Sequence, residues 1–584
     1  MKKVILSITI ISILSGFALT SCEDAFGDFL DKQPSNELTE EQVFSNWTNT
    51  RYYYHDIYNF LRNGRGRINN SWMDATTDLA TTSYSWGGAR SSFNIGNYYA
   101  GSGAPELIST WEHYYRAIRK CNTLLERIES VPMTDDQTVA QRLAQVRRMK
   151  AEARTLRAYF YWELALRYGA VPIITERLDP KDESINEIPR PSSVSANFQF
   201  ILNELEASRD SLDNEMTMSA ENYGRFTQGA NLALQSRIKL YLASPRFENL
   251  NLVSWEEAAE AAEQFIELFG NGTYYRLHTH ADPVTAYMQA ITTRKQDLNP
   301  EVIFWRNDGQ SDWLRSESPV GFGGDGGLSP SQNLVDMYDM ANGHSPFLSY
   351  DATGAPVYNN GAPSINVASG YSDDDPYSGR DARFYATVLH HGAMWWNRPI
   401  DVSEGGADNP RGSSTASPTG YYNRKYMDDS RTHPITGGTM WRNWIFIRYA
   451  EILLNYAEAM NEAYGPVDEV FDALQQVRDR AGLTADLRDR SDLNDQESMR
   501  NFIRKERTVE LAFEDHRAWD VRRWNVAVEA LARPIYGMTI QAVGEELHFS
   551  RRVAQERVFE PRMYLYPIPE AEIWKTGMEN NPGW

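Results

Sequence analysis

Between residues 149 and 167 apolar side chains occupy two helical stripes at once, and this restricts the fold more than any other stretch. Met149, Ala153, Leu156, Phe160 and Leu164 form one stripe, and Tyr159, Trp162 and Leu166 form a second. A helix apolar over so wide an arc must pack against neighbours on both sides. It stops at Tyr168-Gly169-Ala170-Val171-Pro172, a glycine followed by proline. The same periodicity predicts helices over about 230–243 and 255–268. Late in the chain Tyr449, Ile452, Leu453, Tyr456, Ala457 and Met460 mark another helix, broken by Gly465-Pro466. A partner follows through Val470, Phe471, Leu474 and Val477. This hairpin has about the size of one tetratricopeptide unit, whose period is roughly 34 residues. The repeats are scattered and divergent, so the pattern alone admits that scaffold without fixing it.

Nothing covalent is expected to hold these layers. The chain of 584 residues has two cysteines. Cys121 sits on a face spaced by three and four with Ala117, Ile118, Leu124, Leu125 and Ile128, and reads as a small buried hydrophobe. Cys22 has another use. Met1-Lys2-Lys3 precedes a short apolar run from Val4 to Leu19, as in a secretory signal. The run is shorter than the roughly 20 apolar residues a membrane span needs. It ends Leu19-Thr20-Ser21-Cys22, similar to the bacterial lipobox, in which the cysteine is acylated and becomes the new N-terminus. Residues 1–21 are therefore expected to be a lipoprotein signal peptide, and residues 22–40 a lipidated Cys22 with an acidic tether. Acyl chains at about 0.8 kcal/mol per buried methylene would anchor it.

The length allows about three or four domains or one large architecture. A net charge of −21 argues against nucleic acid and against contact with an anionic membrane except through the lipid. Residues 41–270 are expected to form an N-terminal helical scaffold, interrupted by a loop island at about 62–103. From 271 to 442 Gly, Pro, Ser, Asp and Asn become dense, with short strand-like runs at 301–305 and 383–389. Long loops inside a compact protein are functional or disordered, and interleaved Trp and Tyr favour function. Residues 443–584 return to helical scaffold and a closing segment.

Catalytic and cofactor motifs are not supported. Gly321-x-Gly323-x-x-Gly326 matches the dinucleotide fingerprint literally, but it lies between Ser318-Pro319 and Gly327-Leu328-Ser329-Pro330, without strand and helix around it, and reads as a flexible loop. His278-x-His280 and His390-His391 lack the spacing of a zinc protease, and no Gly-x-Ser-x-Gly elbow occurs. Asp373-Asp374-Asp375 lacks the alternation of a calcium hand and reads as a solvated turn before Pro376; no cofactor is indicated, structural calcium included. With 79 Asp and Glu, a glycosidase-like carboxylate pair stays open as an alternative.

From Ile503 to Trp524 acids and bases alternate with Val509, Leu511, Ala512, Phe513 and Trp519 at helical spacing. Five acids nearly balance six Lys and Arg, so partly buried ion pairs are expected rather than an anion site made by the arginines. Here the sequence resembles the SusD/RagB family of surface lipoproteins from starch-utilisation-type systems. Five stretches carry the likeness: 151–161 with Tyr168-Gly169 and Val171-Pro172; 448–459; 506–524; Tyr566-Pro567-Ile568-Pro569 with Asn581-Pro582-Gly583-Trp584; and the lipobox with its tether. Residues 334–338 and 379–384 match more weakly. The resemblance implies a mainly α fold of about four tetratricopeptide-like helix pairs, with a loop-rich α+β portion packed on one side. It implies an outer-membrane, surface-exposed protein that sits as a lid over a TonB-dependent, SusC-like transporter. It implies an oligosaccharide or polysaccharide ligand, peptides for some relatives, and no catalysis.

The family's ligand residues lie in variable loops, so site residues are chosen on physics. Sugars stack their C–H faces on aromatic rings while neighbouring polar groups take the hydroxyls. Tyr84, Trp86, Arg90, Asn94 and Tyr98 lie in the first loop island, and Trp313, Trp395 and Trp396 in the second. Ligand contact and plain loop packing remain alternatives for each tryptophan; Trp86 is the leading choice. Trp305, after a strand-like run, is assigned to the core.

Overall fold

The computed structural model describes residues 38–584 apart from 70, 103–104, 135–137, 180, 216–221, 295–298, 312, 360 and 428–439. The signal segment and Cys22 lie outside the described residues. Helix α1 (Trp47–Tyr58) starts at Asn46, whose side chain accepts from the Asn49 amide. Then come α2 (Pro105–Arg127) and α3 (Val139–Tyr168), the doubly apolar helix. A capping box opens α3: Thr138 accepts from the Gln141 amide, and the Gln141 side chain accepts from the Thr138 amide at 2.9 Å. Gly169 closes it at φ 70°, a conformation that side chains resist. Every side chain from 155 to 168 is buried, as two apolar stripes require. The charged ones are paired: Arg157 with Glu204 at 2.6 Å and Arg167 with Glu106 at 2.9 Å. Cys121 is buried on α2 and free.

The scaffold continues through α4 (Ser195–Arg209), α5 (Gln228–Ala243), α6 (Trp255–Phe269) and α7 (Pro283–Thr292). After the loop-rich part it resumes as α8 (Tyr449–Tyr464), α9 (Asp468–Arg480), α10 (Gln496–Glu510) and α11 (Arg517–Arg523). Helices α1/α2, α3/α4, α5/α6 and α8/α9 pack as pairs, and α6 against α8 joins the two parts of the chain. This is the tetratricopeptide-like helical fold that the resemblance implied, with a few short strands on one side.

The strands described are short, in two-stranded antiparallel sheets. β1 (Ala80–Thr82) pairs with β3 (Leu328–Pro330), joining the loop island to the loop-rich part. β2 (Val302–Ser311) pairs with β4 (Met440–Arg448), and β5 (Ile535–Val543) with β6 (Glu546–Gln555). Two expectations need correcting. The boundary at 442/443 falls inside β4, because that strand closes on β2 across the whole loop-rich segment. Residues 383–389 are not a strand throughout: Ala382–Thr387 is helical, because the Asp381 side chain accepts the Arg383 amide at 2.9 Å and caps the turn, and only Val388–Leu389 is extended. The glycine run at 321–327 leads into β3 rather than into a helix.

The acid–base alternation near the C-terminus is a buried ion-pair lattice. Arg448 reaches Glu301 at 2.7 Å, Glu510 at 2.6 Å and Glu514 at 2.7 Å. Arg383 joins Asp381, Glu506 and Glu510 at 2.7, 2.5 and 3.1 Å. Arg507 and Arg523 share Asp520 at 2.9 and 2.7 Å. These groups cross-link β4, α10 and α11 to the loop-rich part, so the arginines serve the scaffold.

Candidate functional site

Three distant segments converge beside the loop island. Residues 83–90 supply one wall, residues 404–418 a second, and Arg552 of β6 a third, around an open cleft of about 730 Å³. The Ser83 amide donates to the Gly327 carbonyl at 2.9 Å, and the Met538 amide to Thr419 at 2.8 Å. Asp408, buried, is held by Arg398 at 2.7 and 3.0 Å and by the Asp401 amide at 2.8 Å, which folds the 398–408 loop. Gly537 lets the 404–418 loop lie directly on β5: a Cβ there would stand 2.7 Å from the Thr419 backbone. Gly537→Ala is therefore expected to displace that wall and cost about 1–3 kcal/mol, the range for overpacking. A urea unfolding midpoint unchanged from wild type would refute it.

Tyr84 and Trp86 stand on either side of the lining residue Ser85. Their rings lie 5.2 Å apart, tilted by 31°. The Tyr84 hydroxyl donates to the Ser316 carbonyl at 3.1 Å, which fixes its ring. Trp86 is 59% exposed, unusual for the largest side chain, and Ser85 beside it lines the cleft. Arg90 is half-buried, its guanidinium donating to the Thr82 and Ser83 carbonyls at 3.4 Å. Burial pushes that guanidinium below its ordinary range.

The other chosen residues are placed differently. Asn94 is buried as a clamp: it donates to the Ala75 carbonyl at 3.1 Å and to Gln555 at 3.2 Å, and accepts from Arg557 at 2.8 Å. Tyr98 is buried, stacked on Phe93 at 4.8 Å and against Trp584 at 5.2 Å. Trp313 is in the core, against Trp72 at 5.6 Å and Tyr426 at 5.7 Å. Trp395 is fully buried beside Trp396 at 4.3 Å. These four present no free face to a ligand, because each is already covered by protein. Trp396 is half-buried, at φ 51°, and packs on Phe322 at 5.9 Å. Of the eight, the cleft is lined by Arg90 alone; Tyr84 and Trp86 stand on either side of the lining residue Ser85 without lining the cleft themselves. The cleft adds Arg411, Arg552 and the serines of 413–417, which sequence reasoning missed. The Gly/Ser/Pro texture of 403–418 was the visible signal; nothing in the sequence places Arg552 beside it. Trp305 is in the core, as assigned.

Among the described residues no group of three or more His, Cys, Asp and Glu is placed to hold a metal ion. Asp373 is taken up by Arg551 at 2.6 Å. His390 is buried and hydrogen-bonded to the His391 carbonyl at 2.7 Å, and burial lowers its imidazole to about 4.

Comparison with known sequences settles the family. Residues 290–584 match the pattern of the SusD family, and residues 28–240 match a second one described as starch-binding and associating with the outer membrane. The chain belongs to the SusD family. SusD-like protein P38 of Formosa agariphila is 24% identical over 560 residues, covering 91% of this chain and 94% of its own. A SusD-like protein of Bacteroides fragilis NCTC 9343 superposes with a TM-score of 0.75 at 28% identity, covering 95% of this chain and all of its own. A laminarin-binding SusD-like protein shares the fold at a TM-score of 0.58 and 23% identity, covering 93% of this chain and all of its own. Among the described residues no helix is long and apolar enough to cross a membrane.

Proposed function

We propose that this SusD-family protein is a surface lipoprotein, anchored through Cys22, that captures an oligosaccharide or polysaccharide and delivers it to a TonB-dependent outer-membrane transporter, without chemistry of its own. One observation carries the reading: Trp86, exposed and propped against Tyr84, is the chain neighbour of Ser85, which lines an open polar cleft. An exposed indole gains little in water, whereas a pyranose ring laid on it buries apolar surface on both partners. The arginines and serines of the cleft offer hydrogen bonds to the ligand's polar groups.

Native electrophoresis of the soluble protein, from Glu23 onward, through gels containing a panel of polysaccharides tests this. The expected result is retardation by at least one polymer without its degradation. Trp86→Ala should weaken retention at least tenfold and shift folding stability by no more than about 0.5 kcal/mol, as for other exposed positions. Intact retention in that variant removes Trp86 from the site; release of product from the polymer overturns the non-enzymatic reading.

A further inference from the structure

The chain carries 79 acids against 58 Lys and Arg, and many of its interior arginines are paired with carboxylates, as Arg448 and Arg523 are, while Arg142, Arg380, Arg504 and Arg557 are held by backbone carbonyls in the interior. The cleft gathers three arginines on one open surface. Arg90, Arg411 and Arg552 all line it, together with Ser83, Ser85 and Ser414; Glu404 is the one acid in its lining. Among the described residues Arg90 donates to the two backbone carbonyls of Thr82 and Ser83, and Arg552 to the Pro418 carbonyl at 2.6 Å. Among the described residues none of the three makes an ion pair with a carboxylate. Gln541 approaches Glu404 at 3.3 Å, so that carboxylate is also engaged on its β5 side. Burial lowers both Arg90 and Arg552 from the ordinary guanidinium range, Glu404 partly opposing this at Arg552, as expected of cations drawn from water without a full counter-charge.

Three guanidinium groups without an ion-pair partner, facing a single carboxylate, in a chain with a large surplus of acids, make an anion-seeking cleft. Guanidinium groups match the two-oxygen edge of a carboxylate or a sulfate with paired hydrogen bonds. We infer that the ligand is an anionic saccharide, bearing carboxylate or sulfate groups, whose charges meet Arg90, Arg411 and Arg552. The inference rests on the saccharide-binding reading above and narrows its ligand class.

The soluble protein should be run in gels containing polygalacturonate, ι-carrageenan, laminarin or dextran: one carboxylated, one sulfated and two neutral polymers. The expected result is retention by one of the two polyanions, against the repulsion of the protein's net negative charge, and none by the neutral pair. Which polyanion retains it distinguishes carboxylate from sulfate. The double variant Arg411→Gln/Arg552→Gln should lose at least tenfold in affinity with an unchanged melting curve, and wild-type retention should fall in 0.5 M NaCl, where charge attraction is screened. Arg147→Gln, an exposed position on the far-away start of α3, is the control and should bind as wild type. Retention by laminarin or dextran that Trp86→Ala abolishes and the arginine pair does not affect overturns the anionic assignment and leaves the proposed function standing. Polyanion retention that survives the double variant also overturns the assignment. No retention on either polyanion overturns it; no retention on any of the four overturns the saccharide reading as well.

Discussion

Glu510→Gln is expected to destabilise the protein by about 3–5 kcal/mol at pH 7, the cost of breaking one partner of a buried ion pair. Glu510 is fully buried at the end of α10 and accepts from Arg448 at 2.6 Å, from Arg383 at 3.1 Å and from Arg480. Burial works against its charge, yet Arg480, Arg448 and Arg383 together hold the carboxyl well below the usual range. The glutamine keeps the shape and removes the charge, and its amide N–H turns a donor toward guanidinium donors. Three cations then share fewer anions in a place water does not reach. The lattice joins β4, α9 and α10 to the helix at Ala382–Thr387, so the loss falls on the seam between scaffold and loop-rich part. Urea unfolding followed by tryptophan fluorescence measures it. A loss under 1 kcal/mol would mean that the arginines find other partners.

The same logic fixes the acid limb of stability. Arg67 and Arg167 hold Glu163 at about 2 and Arg523 holds Glu458 at about 2, in both cases against the opposing effect of burial. Both carboxyls are depressed below the ordinary glutamate value, so the stability they contribute is present above about pH 4.5 and is lost as the pH falls toward 2.

What could be read from the sequence was what neighbours in the sequence decide. The two stripes of 149–167 lie within one helix, and the structure buries both. Cys121 is a core position for the same reason. The nearly balanced acids and bases of 503–524 announced ion pairs, although their partners Glu301, Arg383 and Arg448 come from far along the chain. Exposure of a loop aromatic is not a local property. Trp313 follows polar residues, yet Trp72 and Trp444 cover it. Asn94 and Tyr98 look free until Arg557 and Trp584 arrive from the other end of the chain. The cleft is hidden from sequence for that reason: its walls are 83–90, 404–418 and Arg552, and only the pairing of β1 with β3 and of β5 with β6 brings them together. Residues 383–389 show the smaller failure, where a capping Asp381 outweighed a β-like composition.

Asp515→Asn is expected to stabilise the protein at pH 8 and to change it little at pH 4. Asp515 lies just beyond α10 at φ 66°, and its amide donates to Asp74 of the loop island at 3.2 Å. One oxygen of each carboxyl, Oδ1, is buried without a hydrogen bond. Burial raises both groups. It lifts Asp515 to about 7 in spite of Arg67, and it lifts Asp74 well above its ordinary value with the Asp515 charge adding to the effect. The folded protein therefore holds a proton that the unfolded chain releases near pH 4. Stability from this group is full below that value, falls as the pH rises toward 7, and does not change further above it. A separation of about three pH units corresponds to roughly 4 kcal/mol. Asparagine is neutral throughout, fits the site and tolerates a left-handed backbone better than most residues, so it escapes that loss. Urea unfolding of both proteins at pH 4.5, 6 and 8 should show a gap that widens with pH. A gap of equal size at all three values would show that Asp515 is ionised in the folded protein and that another group neutralises it.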